Sequence, residues 1–298
     1  MGKKSILNKI GPAVAVAAAI TLVGGGVASA QDSGSLGSLG SSGSASSGSS
    51  GSSGSAGSSA PGPGTPYEFK NWDTCRLDKV YDPDTGLGTC MTVIMRDGTM
   101  HIGNLDVQIP DGSLMIAGGV AVPEPGSQVF VPAADDGKFG VYSTPITVPG
   151  GAFGTGSSEA FGLTAIQATV EAVALPSVEV YNLAVELPVR LKLSNPLLGS
   201  NCYIGSAANP IQLSLALEDA GVAEWISTNG PDIPGGVWPQ ATHTASNFAV
   251  PTASGCGLFG SLNWAVNLRA GLPSGGGGNS LSTTSSVYNA AGWEVTEA

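Results

Sequence analysis

The sequence predicts a mainly β protein: an antiparallel β-sandwich or barrel-like domain with one C-terminal amphipathic helix. Three observations carry this. Short runs rich in β-branched and aromatic residues are separated by Gly, Pro, Asn and Asp at intervals of roughly 8–12 residues. Only 11% of the residues are charged while 45 are glycine, a balance that fits an extracellular all-β domain better than a helical enzyme. From Leu183 to Leu193 every second residue is Leu or Val, the period of a strand with one committed face.

The chain opens on an export signal. Lys3, Lys4 and Lys9 precede the apolar run from Pro12 to Val23, and Ala28-Ser29-Ala30 is a small-residue cleavage site, the layout of a secretory signal peptide over residues 1–30. The apolar run is short and stops at Gly24-Gly25-Gly26, which does not suit a membrane span. The expected destination is secreted, extracellular or cell envelope, after cleavage near Ala30. Cleavage removes three of the 11 Lys and Arg and none of the 22 Asp and Glu, leaving eight cations and a formal charge of about −14. An acidic protein of this kind is a poor partner for nucleic acid, which needs a positive field. Residues 31–66 form a Ser/Gly-rich flexible linker or disordered tail, too polar and too small in side chain to bury a core.

Residues 67–298 are expected to form the secreted domain, with a possible sub-boundary near 149–160. Leu77–Tyr81 reads as a short strand and Asp82-Pro83-Asp84-Thr85-Gly86 as a turn. Asp82-x-Asp84-x-Gly86 resembles part of a calcium loop, yet it lacks the third acidic position and the closing Glu. Turn chemistry explains the same residues, and no metal or other cofactor is expected. Cys90–Met95 is a return strand, and Asp97-Gly98 a tight-turn signal. Strands follow at 105–109, 113–117, 128–131, 139–142 and 145–148. The glycines of residues 149–158 have neither the strand–GxGxxG–helix nor the GK[ST] setting of a phosphate cradle.

Phe161–Ala174 and Val178–Ser194 form a long amphipathic hairpin, with Leu175-Pro176-Ser177 as its turn. Pro188 lies on the polar parity, which predicts an edge strand or a bulge there. Two readings are open: a pair of core strands with the apolar face inward, or a β-hairpin given to a membrane barrel as a channel, for which segments of this length suffice.

Four cysteines, Cys75, Cys90, Cys202 and Cys256, predict two disulfides in an oxidising compartment. Three pairings are possible. Cys75–Cys90 and Cys202–Cys256 are favoured because each pair lies in one local block and closes a modest loop. The run from Lys192 to Leu215, KLSNPLLGSNCYIGSAANPIQLSL, and a second block with Asn247-Phe248-Ala249-Val250-Pro251 and Gly255-Cys256-Gly257 resemble a signature shared by uncharacterised secreted proteins of actinomycetes. The match covers roughly residues 185–290. It implies export and supports pairing Cys202 with Cys256; it implies no activity.

Between those cysteines, Trp225, Trp238 and His243 lie on a Pro/Gly-rich excursion and are candidate surface contacts for a sugar ring or an apolar partner. Gly257–Ala270 is the helix candidate. Leu258, Phe259, Leu262, Ala265, Val266 and Arg269 share one face, and Gly271 and Pro273 stop it. A last strand is expected over 281–288 and an acidic tail over 293–298. Catalytic motifs are missing from the folded region: no Gly-x-Ser-x-Gly, no H-E-x-x-H, and no cysteine outside the expected disulfides. The expectation is a non-enzymatic protein with a structural or binding role toward cell-wall or envelope components. A channel and an extracellular hydrolase acting on glycan or lipid are the alternatives.

Overall fold

The computed structural model describes residues 65–154, 162–226 and 232–297. The expected signal peptide, and the Ser/Gly tract up to residue 64, lie outside them. The strands are β1 (Thr89–Ile102), β2 (Leu105–Ile109), β3 (Leu114–Ala121), β4 (Val129–Pro132), β5 (Val141–Ser143), β6 (Ile146–Thr147), β7 (Gln167–Ala172), β8 (Ser177–Glu179), β9 (Ala184–Asn195), β10 (Gly199–Ile204), β11 (Ile211–Asp219), β12 (Glu224–Trp225), β13 (Gly236–Ser246), β14 (Ala253–Ser254) and β15 (Ser280–Ala291). Three short helices accompany them: α1 (Leu77–Val80), α2 (Asn263–Ala270) and α3 (Gly292–Glu297).

All pairings are antiparallel, and the sheet curls until it meets itself. The central path runs β9-β11-β13-β15-β1-β3. Residues 141–147 then bridge the two ends: Val141–Ser143 pair with β3, and Ile146–Thr147 pair with β7, which lies along β9. Two side chains complete the seam. The Ser143 hydroxyl accepts from the Val170 N–H at 3.2 Å, and the Gln128 carbonyl accepts from the Val180 N–H at 2.9 Å. Closure matters because an open sheet edge carries unpaired N–H and C=O groups. The result is the barrel-like form of the expected fold.

The period-two run does what its pattern predicts. Val185, Leu187, Val189, Leu191 and Leu193 are buried in the main core, and Glu186 faces outward. Arg190 and Lys192 point the same way, where both reach Glu171 on β7, at 2.8 and 4.0 Å. The apolar face of the hairpin is thus used inside the barrel. Pro188 sits on a strand paired on both sides, not at an edge, and the bulge is across from it. Ala172 pairs with Val189 and Ser177 with Glu186, so residues 173–176 form an insertion opposite Leu187 and Pro188. Leu175-Pro176 is therefore part of that bulge, and the hairpin turns at 180–183 instead.

β1 is buried on both faces. Met91, Val93 and Met95 point into the barrel, while Cys90 and Ile94 lie under the N-terminal segment with Tyr67, Trp72, Cys75 and Val80. The disulfide Cys75–Cys90 fastens this cover to the outer face. Leu77–Val80 is one helical turn, not a strand. Val80 turns in against Gly119, where an added Cβ would stand 2.7 Å from a Val80 methyl. Four residues are too few for a period to declare itself.

The turn at Asp82 forms as expected. Its carboxylate accepts from the Asp84 N–H and the Thr85 hydroxyl, at 2.9 and 2.8 Å. Asp97-Gly98, in contrast, continues β1, paired with Thr284 and Thr283 just past a bulge at Arg96 where the register against β15 slips. A Cβ on Gly98 would come within 2.9 Å of the Ser282 carbonyl, so glycine serves a close crossing here, not a reversal. Two strands were not legible as such: β10, which carries Cys202, and β13, which runs through the supposed Pro/Gly excursion. The acidic tail is helical over Gly292–Glu297, where the Glu294 carboxylate accepts from the Ala291 N–H at 2.8 Å, half of a capping box.

Candidate functional site

The end of the barrel covered by α2 has the features of a binding site. Gly271 ends α2 in the left-handed region, at φ 67°, and its N–H bonds back to the Asn267 carbonyl. The helix begins at Asn263 and not near Gly257, because Gly257 and Phe259 both have positive φ, 73° and 54°, which no α-helix accepts. Two asparagines dock it. Asn263 Oδ1 accepts from the Cys256 N–H at 2.8 Å, and Asn267 Oδ1 accepts from the Ala253 N–H at 2.7 Å. The Cys202–Cys256 disulfide then ties this segment to β10. Gly257 adds a bond from its N–H to the Leu198 carbonyl at 2.8 Å.

Val266 and Ala270 are buried beneath α2, with Leu262 packed beside them. They roof a cavity of about 210 Å³ whose walls include Leu105, Val148, Ile166, Leu193 and Leu198. Leu105, Val148, Leu193 and Ile204 also line a deeper cavity of about 60 Å³ in the barrel interior, walled wholly by aliphatic and Met side chains. These four side chains are common walls of the two cavities. An apolar void with no polar partner for water stays dry.

The surface around α2 is apolar too. Leu197 on the cavity wall, Leu258 and Phe259 just before α2, Trp264 and Leu268 on α2, and Leu163 are exposed, six of the thirteen exposed large hydrophobics among the described residues, and Phe259 is 99% accessible. Leu258 and Phe259 are therefore not on a buried helix face, as their spacing had implied. Two stretches that contribute to this end lack carboxylates: none of the chain's 22 Asp and Glu falls between Ile233 and Trp293, or between Asn195 and Leu217. The charged side chain lining the outer cavity is Arg269. Its Nη2 donates to the Pro149 carbonyl at 3.0 Å, while its Nε is buried and finds no acceptor among the described residues.

The tryptophans and histidine singled out from the sequence are not brought to one surface. Trp225 stays 83% exposed on β12, Trp238 packs partly against the core from β13, and His243 is buried at 4%. Strand alternation turns Ala241, His243 and Ala245 inward together, so His243 cannot meet a surface ligand. Its Nε2–H donates to the Leu183 carbonyl at 2.9 Å. Burial lowers the pKa of the ring, against a smaller opposing pull from that carbonyl. The unfolded chain binds this proton near pH 6.5, its ordinary value, and the folded chain does not. Stability is then present above that pH and falls as pH drops below it. Urea midpoints are expected to fall between pH 7.5 and 5.5, with the His243 ring signals in NMR still those of the neutral form at pH 6; protonation of His243 at its ordinary pH would remove this explanation.

A second pocket, of about 350 Å³, is lined by Tyr142, Lys138, Glu171 and Arg190. The Tyr142 hydroxyl is buried without a partner among the described residues, and burial raises its pKa, with Asp136 adding to the shift. That phenol remains protonated at neutral pH, so it supplies no base. Among the described residues no group of three His, Cys, Asp or Glu side chains could hold a metal ion, and no helix is long and apolar enough to cross a membrane. The two disulfides belong to an oxidising, extracellular setting. Compared with family models, curated proteins and solved structures, the chain matches none of them.

Helical spacing put Arg269 on the face of Leu262 and Val266, as the structure has it, but assigned it no role and did not point to the cavity. The carboxylate gap was the available signal, since an acidic chain that keeps 61 consecutive residues free of Asp and Glu (233 to 293) protects an apolar surface.

Proposed function

We propose that this is a secreted or envelope-associated, non-enzymatic binding protein, and that its working end is the apolar cavity beneath α2. One observation carries the reading. A largely apolar cavity lies beneath α2, and exposed apolar side chains stand on that helix, just before it and, at Leu197, on the cavity wall itself. Clustered exposed hydrophobics cost solubility and persist where a partner uses them, and concave apolar sites are the usual form of small-ligand pockets. The signal-like N-terminus and the disulfides support an extracellular or envelope setting, where the partner would be an apolar envelope component.

A neutral dye that brightens in apolar surroundings, N-phenyl-1-naphthylamine, tests the reading. The native protein is expected to bind it saturably. Val266→Trp, which fills the roof of the outer cavity, is expected to weaken that binding at least tenfold while the circular dichroism of the sheet is kept. Dye binding that is absent, or that is unchanged in the folded variant, rules out this cavity as the site.

A further inference from the structure

We infer that the guest of this cavity is a single-chain amphiphile with an anionic head, its tail along the apolar walls beneath α2 and its head on Arg269. The inference rests on the cavity being the binding site and adds the ligand's chemistry. Three features define that chemistry. Apart from Asn195 and Arg269, the side chains lining the outer cavity offer neither donor nor acceptor. A polar or hydrogen-bonding ligand would lose its water there without replacement. An unbranched alkyl chain loses nothing and fills an apolar space with dispersion contacts.

The second feature is the placement of charge. Arg269 is the charged side chain lining the outer cavity, so a ligand whose tail lies along the apolar walls brings its head to the guanidinium. Gly154 stands against that group: an added Cβ would lie 3.0 Å from Nε and 3.1 Å from Cζ. The Gly154 backbone thus packs directly on the guanidinium, where a side chain would displace it.

The third feature is the unpaired donor. A buried guanidinium N–H without an acceptor is costly, and a carboxylate, sulfate or phosphate oxygen relieves it with a charge-assisted bond. Among the described residues the Pro149 carbonyl is the one acceptor on the guanidinium, leaving its other N–H groups for an incoming anion. The described residues around the cavity place no carboxylate there to compete. A cationic head would meet like charge, and a neutral alcohol would gain an ordinary hydrogen bond in place of a charged one.

Displacement of bound N-phenyl-1-naphthylamine by decanoate and by decanol, both below their aggregation limits, separates these possibilities. The chains are equal in length and differ at the head. Decanoate is expected to displace the dye from the native protein at a concentration at least tenfold lower than decanol. In Arg269→Gln the two should act within about twofold of each other, with decanol unchanged, and Arg269→Lys should recover part of the preference. Equal displacement by both ligands from the native protein overturns the inference even if the variants fail to fold. So does a preference that survives Arg269→Gln, or failure of both ligands to displace a dye that binds. Failure of the dye itself to bind refutes instead the reading of the cavity as a site.

Discussion

Replacing Cys202 and Cys256 together by Ser is expected to cost this protein about 4 kcal/mol, more than any other pairwise change of comparable size. The bridge closes a separation of 54 residues, against 15 for Cys75–Cys90. In the chain-entropy account the restraint on the unfolded chain grows with the logarithm of loop length, giving about 4 kcal/mol for the longer loop and about 3 kcal/mol for the shorter. Both sulfurs of the longer bridge are fully buried, in the main core. The bridge also holds β10 to the segment that docks α2 through Asn263, so its loss loosens the roof of the cavity as well. Urea midpoints of the two double-Ser variants, measured with the other bridge intact, check the order. A larger loss from Cys75/Cys90 removal would overturn it. The single change Cys202→Ser should expose one reactive thiol, Cys256, on denaturation.

Leu187→Ala is the second large effect. Leu187 is fully buried at the middle of β9, with Leu213 opposite it on β11 and the 173–176 bulge on its other side. It does not line the existing cavities, so truncation opens a new void in well-packed core. Leucine-to-alanine changes of this kind cost about 2–5 kcal/mol, through lost transfer energy and the hole left behind. We expect about 3–4 kcal/mol. Glu186→Ala, one residue away on the outer parity, should stay within about 0.5–1 kcal/mol, since its bond from the Ser214 hydroxyl is exposed to water. Denaturation of the two variants side by side is a test of the inward phase of β9. Comparable losses from both would mean that the strand is not phased as described.

The parity of β9 was open to reading because alternation is a local property. Side chains two apart share a face whatever lies beyond it, and Val185 to Leu193 kept that promise. The paired cysteines and the Asp82 turn were legible for a similar reason, since they depend on residues close in sequence or on a small count. The Asp97-Gly98 pair shows the limit. The same dipeptide serves a reversal or a continuing strand, and the choice falls to the strand alongside, here β15 at Ser282 and Thr283. α1 and β13 were misread where segments were short or rich in Pro and Gly, and long-range pairing overrode weak local preference.

What the sequence determined alone, then, was the class of fold, the phase of its longest amphipathic strand, its acidic balance and its two staples. The tertiary structure decided what covers each apolar face. Helical spacing put Leu258 and Phe259 on the side of Val266, but two positive-φ residues turned them out to solvent. It brought Arg269 to a cavity walled by β2, β9 and the segments around Val148 and Ile166, all more than 70 residues away along the chain. Periodicity names the residues that share a surface, whereas a site is made of surfaces that meet, and their meeting is set by closure of the barrel.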